Sequence, residues 1–245
     1  MVTEEAQKMP FIQHLDELRG TLLRSLIGLV VGVIVAAFFV NPILDFLTLP
    51  IDGLKNLHAI EITETMSVYM RVALLGGLIL AFPWIVLQLL LFVGKGLKEN
   101  ERKGIYLALP IMAILFLSGV AFAYYVMLPA SLGFFKNILA VTTSIRIKSY
   151  ISFVTNLLFW IGVSFLIPLI FFILAKIGVV NAKILLKGWR VAVVAIAVLA
   201  AVITPTGDPI NMLIFMLPLF VLYLLSILLS ALAVKRPKTK AEKED

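Results

Sequence analysis

Six long apolar stretches, almost free of charge, fill most of this chain, and that pattern leaves few folds open. Leu22–Val40, Val72–Val93, Tyr106–Leu128 and Phe153–Ala175 run 19 to 23 residues each. A helix needs roughly 20 residues to cross the hydrocarbon core of a bilayer. Within those four, Arg24 is the only charged residue, close enough to one end for its side chain to snorkel to the headgroups. Val191–Ile203 and Ile210–Val234 flank Thr204-Pro205-Thr206-Gly207-Asp208-Pro209, a run of turn formers that predicts a tight helical hairpin. The fifth stretch, with 13 residues, reaches only about 20 Å against roughly 30 Å of hydrocarbon, so it requires local thinning or snorkelling flanks.

The expected fold is therefore all-α, a six-span integral membrane protein. Residues 1–21 form a cytosolic segment, 22–234 the membrane domain and 235–245 a disordered cytosolic tail rich in Lys and Glu. Basic residues divide unevenly between alternate gaps. Sixteen of the 21 Lys and Arg lie before or, as Arg24, at the start of the first span, after the second, after the fourth and after the sixth; Lys55, Arg71, Lys136, Arg146 and Lys148 lie in the others. The positive-inside rule then puts both termini in the cytosol and Asn41–Arg71 and Pro129–Tyr150 outside. This asymmetry accounts for most of the net charge of +7, and no nucleic-acid-binding motif is present. Glu4, Glu5, Asp16 and Glu17 ahead of a full-length span argue against a cleaved secretion signal.

Several function classes lose their footing. There is no Cys, and the two histidines, His14 and His58, fall in gaps on opposite sides, so neither a metal site nor an acid–base pair is expected. Gly94 and Gly96 do not make a phosphate loop. A solute transporter needs ionisable groups at depth, yet the deepest polar side chains are Ser118, Asn156, Ser164, Ser226 and Ser230, suited to bonding between helices. Pro83, Pro110, Pro168 and Pro218 each lie inside a span and predict kinked helices in a curved bundle.

Met9-Pro10-Phe11-Ile12-Gln13-His14-Leu15-Asp16-Glu17-Leu18-Arg19 resembles the N-terminal signature of the TatC family, the core receptor of the twin-arginine protein translocase. Further pieces follow in order along residues 9–234. Leu49-Pro50-Ile51 is similar to the family's proline turn, and Phe82-Pro83 with Gln88 and Phe92 to the end of its second span. Glu99-Asn100-Glu101-Arg102-Lys103 resembles its first cytoplasmic loop. Phe122–Pro129 with Phe134-Phe135 is similar to its third-span exit, and Ile203-Thr204-Pro205 with Asp208-Pro209 to its last external turn.

The resemblance implies a non-enzymatic role without a cofactor: a signal-peptide receptor and assembly platform that exports folded proteins using the proton-motive force. Implied partners are twin-arginine signal peptides, single-span TatA- and TatB-type proteins, further copies of the chain and the lipid of the cytoplasmic membrane. Glu17 and Glu101 are the implied arginine-binding carboxylates, because a carboxylate accepts the guanidinium fork in two parallel bonds. Both are equally able to form ordinary surface pairs, Glu17 with Arg19 or Lys8 and Glu101 with Lys98 or Lys103. Leu18, Arg19, Phe92 and Arg102 complete the implied peptide surface; Pro50, Pro83, Gln88, Pro129, Leu166 and Asp208 are assigned to structure or partner contact. Two positions depart from the family pattern. Leu166 and Leu224 stand where relatives carry intramembrane carboxylates, so the fourth-span site is expected to be an apolar groove. The runner-up reading, a partner-binding scaffold without productive transport, rests on that pair, and a small-solute transporter ranks third.

Overall fold

The computed structural model describes residues 11–95, 99–138, 145–204 and 209–233, with side chains for 16–92, 108–134, 145–204 and 209–233. The expected tail at 235–245 and Asp208 in the last turn lie outside the described residues. Ten α-helices are described: α1 (Phe11–Phe38), α2 (Val40–Thr48), α3 (Ile62–Lys95), α4 (Glu99–Phe122), α5 (Leu128–Ile138), α6 (Ile147–Ser164), α7 (Ile167–Lys176), α8 (Ala182–Lys187), α9 (Trp189–Ile203) and α10 (Pro209–Ala233). Among the described residues, five helical segments are long and apolar enough to cross a membrane: Asp16–Phe38, Ile62–Phe92, Ala108–Phe134, Ile147–Lys176 and Pro209–Ala233. The fifth expected span, α9, has 15 residues and reaches about 22 Å.

Helices overrun the apolar stretches that predict them. α1 starts eleven residues before Leu22, and α3 starts ten before Val72. At the start of α3 the Glu64 carboxylate accepts a hydrogen bond from the Ile60 N–H (3.4 Å), reaching back over the first turn as the acidic member of a capping box does. The prolines act in different ways. α3, α4 and α10 run unbroken past Pro83, Pro110 and Pro218. At Pro168 the expected kink is instead an interruption: α6 stops at Ser164, Leu166 N–H bonds Val163 O at 3.0 Å, and α7 begins with the proline in its first turn. The proline supplies no N–H to the Ser164 carbonyl, while the Ser164 hydroxyl bonds back to Trp160 O at 2.7 Å. Pro129 does not end its helix, because a π-turn over Ala123–Met127 shifts the bonding to i−5 just before it and α5 continues to Ile138.

The chain divides into two compact units. The first comprises Met1–Leu117 with Thr143–Thr155. Its centre is the antiparallel pair α1–α3, drawn together by glycines. A Cβ on Gly77 would lie 2.5 Å from the Val33 backbone, and one on Gly32 would lie 2.5 Å from the Gly77 carbonyl oxygen. Tyr69 donates to Ala37 O (2.6 Å) at one end of the pair, and the Trp84 indole to Arg24 O (3.1 Å) at the other. Phe82 stacks on Phe116 of α4 with centroids 3.7 Å apart. Beyond the α1 end at Phe38, α2 and a 3₁₀ turn at Leu49–Ile51 lead into Asp52 and Gly53, both at positive φ (64° and 90°). Leu57–His58 (β1) then pairs in parallel with Ile145–Arg146 (β2).

That pairing is clamped by charge. Glu64 is fully buried, and Arg146 donates to it from Nε (2.5 Å) and from Nη2, while Nη2 also reaches Glu61 at 3.2 Å. The Glu64 hydrogen bond raises the Arg146 guanidinium above its ordinary pKa against the opposing effect of burial. Tyr150 closes the same corner by donating to Leu47 O at 2.8 Å.

The second unit comprises Ser118–Thr142 with Asn156–Asp245. α10 packs on α7, α8 and α9 around the buried Phe215, Leu219, Leu222 and Tyr223. The Tyr223 hydroxyl donates to Leu185 O at 2.6 Å, and Ser230 reaches Phe171 O at 3.4 Å. Gly119 of α4 sits where a Cβ would come within 3.0 Å of Gly162 Cα and closer still to the Phe165 side chain.

Gly77→Ala is expected to destabilise the protein by about 1–3 kcal/mol, since the methyl meets backbone that cannot yield locally. Gly133→Ala, where the new Cβ meets nothing within 4 Å, is the control and should be neutral or stabilising in thermal unfolding in detergent. The clamp gives an ordering: Arg146→Gln should lower the melting temperature by several degrees, more than Glu61→Gln, because it strands the buried Glu64 carboxylate while Glu61 is largely exposed. Equal losses would show that the clamp contributes no more than a surface pair.

Candidate peptide-binding face

The residues assigned to peptide binding all belong to the first unit and come from three helix ends. Glu17, Leu18 and Arg19 lie in the early turns of α1, Phe92 near the C-terminus of α3, and Glu101 and Arg102 in the first turn of α4. α1 reaches back to Phe11 as one helix, so Glu17 is held on a regular element that α3 supports along most of its length.

The α1–α3 contacts set the geometry. Gly28 lies at Trp84, Gly32 at Gly77 and Ala81, and Ala36 at Gly76. Carried further in the same register, the antiparallel pair brings the Leu18–Gly20 turn level with Phe92. Gln88 precedes Phe92 by one turn on the same face of α3 and is buried at 5 % exposure. Only residues 96–98 separate the end of α3 at Lys95 from the start of α4 at Glu99. Four virtual bonds of 3.8 Å keep those two Cα atoms within about 15 Å of each other. The three helix ends therefore gather at one end of the unit. The side chains of Glu101 and Arg102 lie outside the described residues.

The local environment is mixed. Glu17 and Leu18 are half-buried and one Glu17 oxygen, Oε2, is shielded from solvent, while Asp16, Arg19 and Arg24 are exposed. Phe92 is half-buried. Such an edge offers carboxylate beside apolar surface, where a charge-assisted hydrogen bond is stronger than in open water. Among the described residues no three His, Cys, Asp or Glu side chains gather as a metal site would require.

The residues assigned to structure or partner contact scatter. Pro50 is half-buried in its 3₁₀ turn, and Pro83 and Pro129 are exposed on helix surfaces. Leu166 is buried at 6 % exposure, at the α6–α7 interruption, so the expected open groove at this residue is not present; Leu224 is 49 % exposed. The reason is the interruption itself, which turns residue 166 inward. The Glu64–Arg146 clamp and the Trp84–Arg24 bond have no signature in the sequence, since neither pair shares a helix or a motif spacing.

The family profile described as Sec-independent protein translocase protein (TatC) matches residues 13–218. The Carboxydothermus hydrogenoformans Sec-independent protein translocase protein TatC is 34% identical over 92% of this chain and 94% of its own length. The Bacillus subtilis protein TatCy is 34% identical over 96% and 94%, and the chloroplastic TATC of Pisum sativum 34% over 89% and 63%. A crystal structure of the twin arginine translocase receptor TatC superposes with a TM-score of 0.83 at 31% identity, covering 91% of this chain and all of that one. With its apolar helices, its order of elements and this breadth of match, the chain belongs to the TatC family and is a component of the twin-arginine protein translocase.

Proposed function

We propose that this chain is the signal-peptide receptor of its translocase, taking the paired arginines of a cargo signal peptide on Glu17 and Glu101. The observation that carries the reading is the convergence of three helix ends: the half-buried Glu17, the Phe92 turn at its level, and the first turn of α4 tethered by a three-residue link. Leu18 and Phe92 supply apolar surface for the hydrophobic part of the peptide and lower the local dielectric around the carboxylates. Arg19 and Arg102 would repel the peptide unless paired, which makes the interaction sensitive to salt over about 10 Å at 0.1 M. The work of transport draws on the proton-motive force, with no bound cofactor and no covalent chemistry in the chain itself. Single-span TatA- and TatB-type partners dock on exposed apolar helix faces, for which Leu224 is available and Leu166 is not. Further copies of the chain complete the assembly. The protein resides in the cytoplasmic membrane with both termini in the cytosol, the sense set by the sixteen-to-five division of basic residues.

Glu17→Gln and Glu101→Gln should each weaken binding of a twin-arginine peptide by roughly tenfold to a hundredfold, the worth of one charge-assisted hydrogen bond. The double variant should depart from the sum of the two if both carboxylates hold one arginine pair. Crosslinking or titration with a twin-lysine peptide as control reads this directly. Unchanged affinity in a folded double variant removes both residues from the binding face and leaves the partner-binding scaffold as the better reading.

Orientation has its own test. The chain has no Cys, so Ala59→Cys and Val179→Cys each introduce a single thiol at an exposed loop position. An impermeant maleimide should label the first on intact cells and the second only after lysis. The opposite pattern would reverse the topology.

A further inference from the structure

A groove of about 500 Å³ runs along the seam of α1 and α3 in the first unit. Its sides are Ile27 and Val31 of α1 and Leu80 and Trp84 of α3, and its floor is Gly28 and Gly32. The glycines create the hollow. A Cβ on Gly28 would collide with the Trp84 indole, and one on Gly32 would press on the Gly77 carbonyl at 2.5 Å. Without those side chains the helices close up and a trough opens over them. It follows α1 from Ile27 to Val35, about 12 Å along the axis.

Two features distinguish the trough from an ordinary lipid-facing seam. Its Trp84 wall is fixed, because the indole N–H donates to Arg24 O at 3.1 Å while the ring stays 46 % exposed. A charge also stands at its end. Arg24 is exposed and precedes Ile27, Gly28 and Val31 by three, four and seven residues, so it lies on the same face of α1 as the trough. Helical side chains lean toward the N-terminus, and a long cationic one extends to headgroup depth. A cation at headgroup depth with an apolar trough leading inward matches a phosphate joined to an acyl chain.

The geometry points to a specific phospholipid site here: an anionic headgroup on Arg24 and one acyl chain lying between α1 and α3 against Trp84. A transmembrane helix laid in the same place would satisfy the trough but put apolar side chains against the guanidinium, which is costly at the edge of hydrocarbon. The inference is independent of how the chain binds signal peptides.

The full-length protein in detergent micelles doped with either phosphatidylglycerol or phosphatidylcholine of identical chains provides the test, with retained lipid counted by native mass spectrometry. Phosphatidylglycerol should be retained in preference, and rising salt should weaken that preference. Arg24→Gln should reduce phosphatidylglycerol retention roughly fivefold and erase the preference, as expected for one basic side chain at an anionic surface. Val31→Phe, at a position 54 % exposed and therefore free of core strain, fills the trough and should reduce retention of both lipids. Helicity and melting temperature in lipid-free detergent confirm that each variant is folded. Equal retention of the two lipids by the wild type, an unchanged preference in Arg24→Gln, or undiminished retention in Val31→Phe would overturn the proposal. So would crosslinking of a single-span protein to position 31 that added phosphatidylglycerol fails to displace.

Discussion

Hydrocarbon offers a peptide group no hydrogen-bond partner, so every N–H and C=O within the membrane must be satisfied by the chain itself. That constraint makes this protein almost wholly helical and makes each proline inside it an event. A proline withdraws one N–H and crowds the carbonyl four residues back. The chain answers in three ways: it carries the helix through at Pro83, Pro110 and Pro218, widens it to a π-turn before Pro129, and stops and restarts it at Pro168. The last response decides more than local geometry. It turns Leu166 inward, so this residue is part of an apolar interior.

Close packing of α1 on α3 is the second organising fact. Apolar side chains gain little by leaving lipid for one another, and helices in a bilayer therefore associate where small residues let backbones approach. Gly28, Gly32, Gly76 and Gly77 provide that approach, and Tyr69 and Trp84 pin its two ends by bonding to carbonyls of the partner helix. The register so imposed brings the α1 turn that carries Glu17 to the level of Phe92. The same approach leaves the Trp84 trough, so the proposed peptide face and the proposed lipid site rest on one set of glycines.

Away from that end, the first unit is held by a buried ion pair. Glu64 has both a capping role at α3 and the Arg146 guanidinium as its counter-ion, and the two jobs lock β1 beside β2. A buried carboxylate is tolerated only with such partners. Both residues sit just outside the uncharged stretches, where a polar anchor costs least.

Uninterrupted apolar length and the Leu, Ile, Val and Phe of these stretches determined from sequence alone that the chain is all-α and membrane-embedded, because the bilayer tests only length and polarity. The order of short motifs pointed to the TatC family, and that resemblance, not any local pattern, implied Glu17, Glu101 and Phe92 as candidates. Helix ends were less legible: α1 and α3 extend about ten residues beyond their apolar cores, since polar residues continue a helix once it is nucleated. The pairings of residues far apart in sequence, Glu64 with Arg146, Trp84 with Arg24 and Tyr150 with Leu47, belong to the tertiary structure alone. So does the burial of Leu166, because which face of a uniformly apolar helix turns inward is settled by its neighbours and not by its own composition.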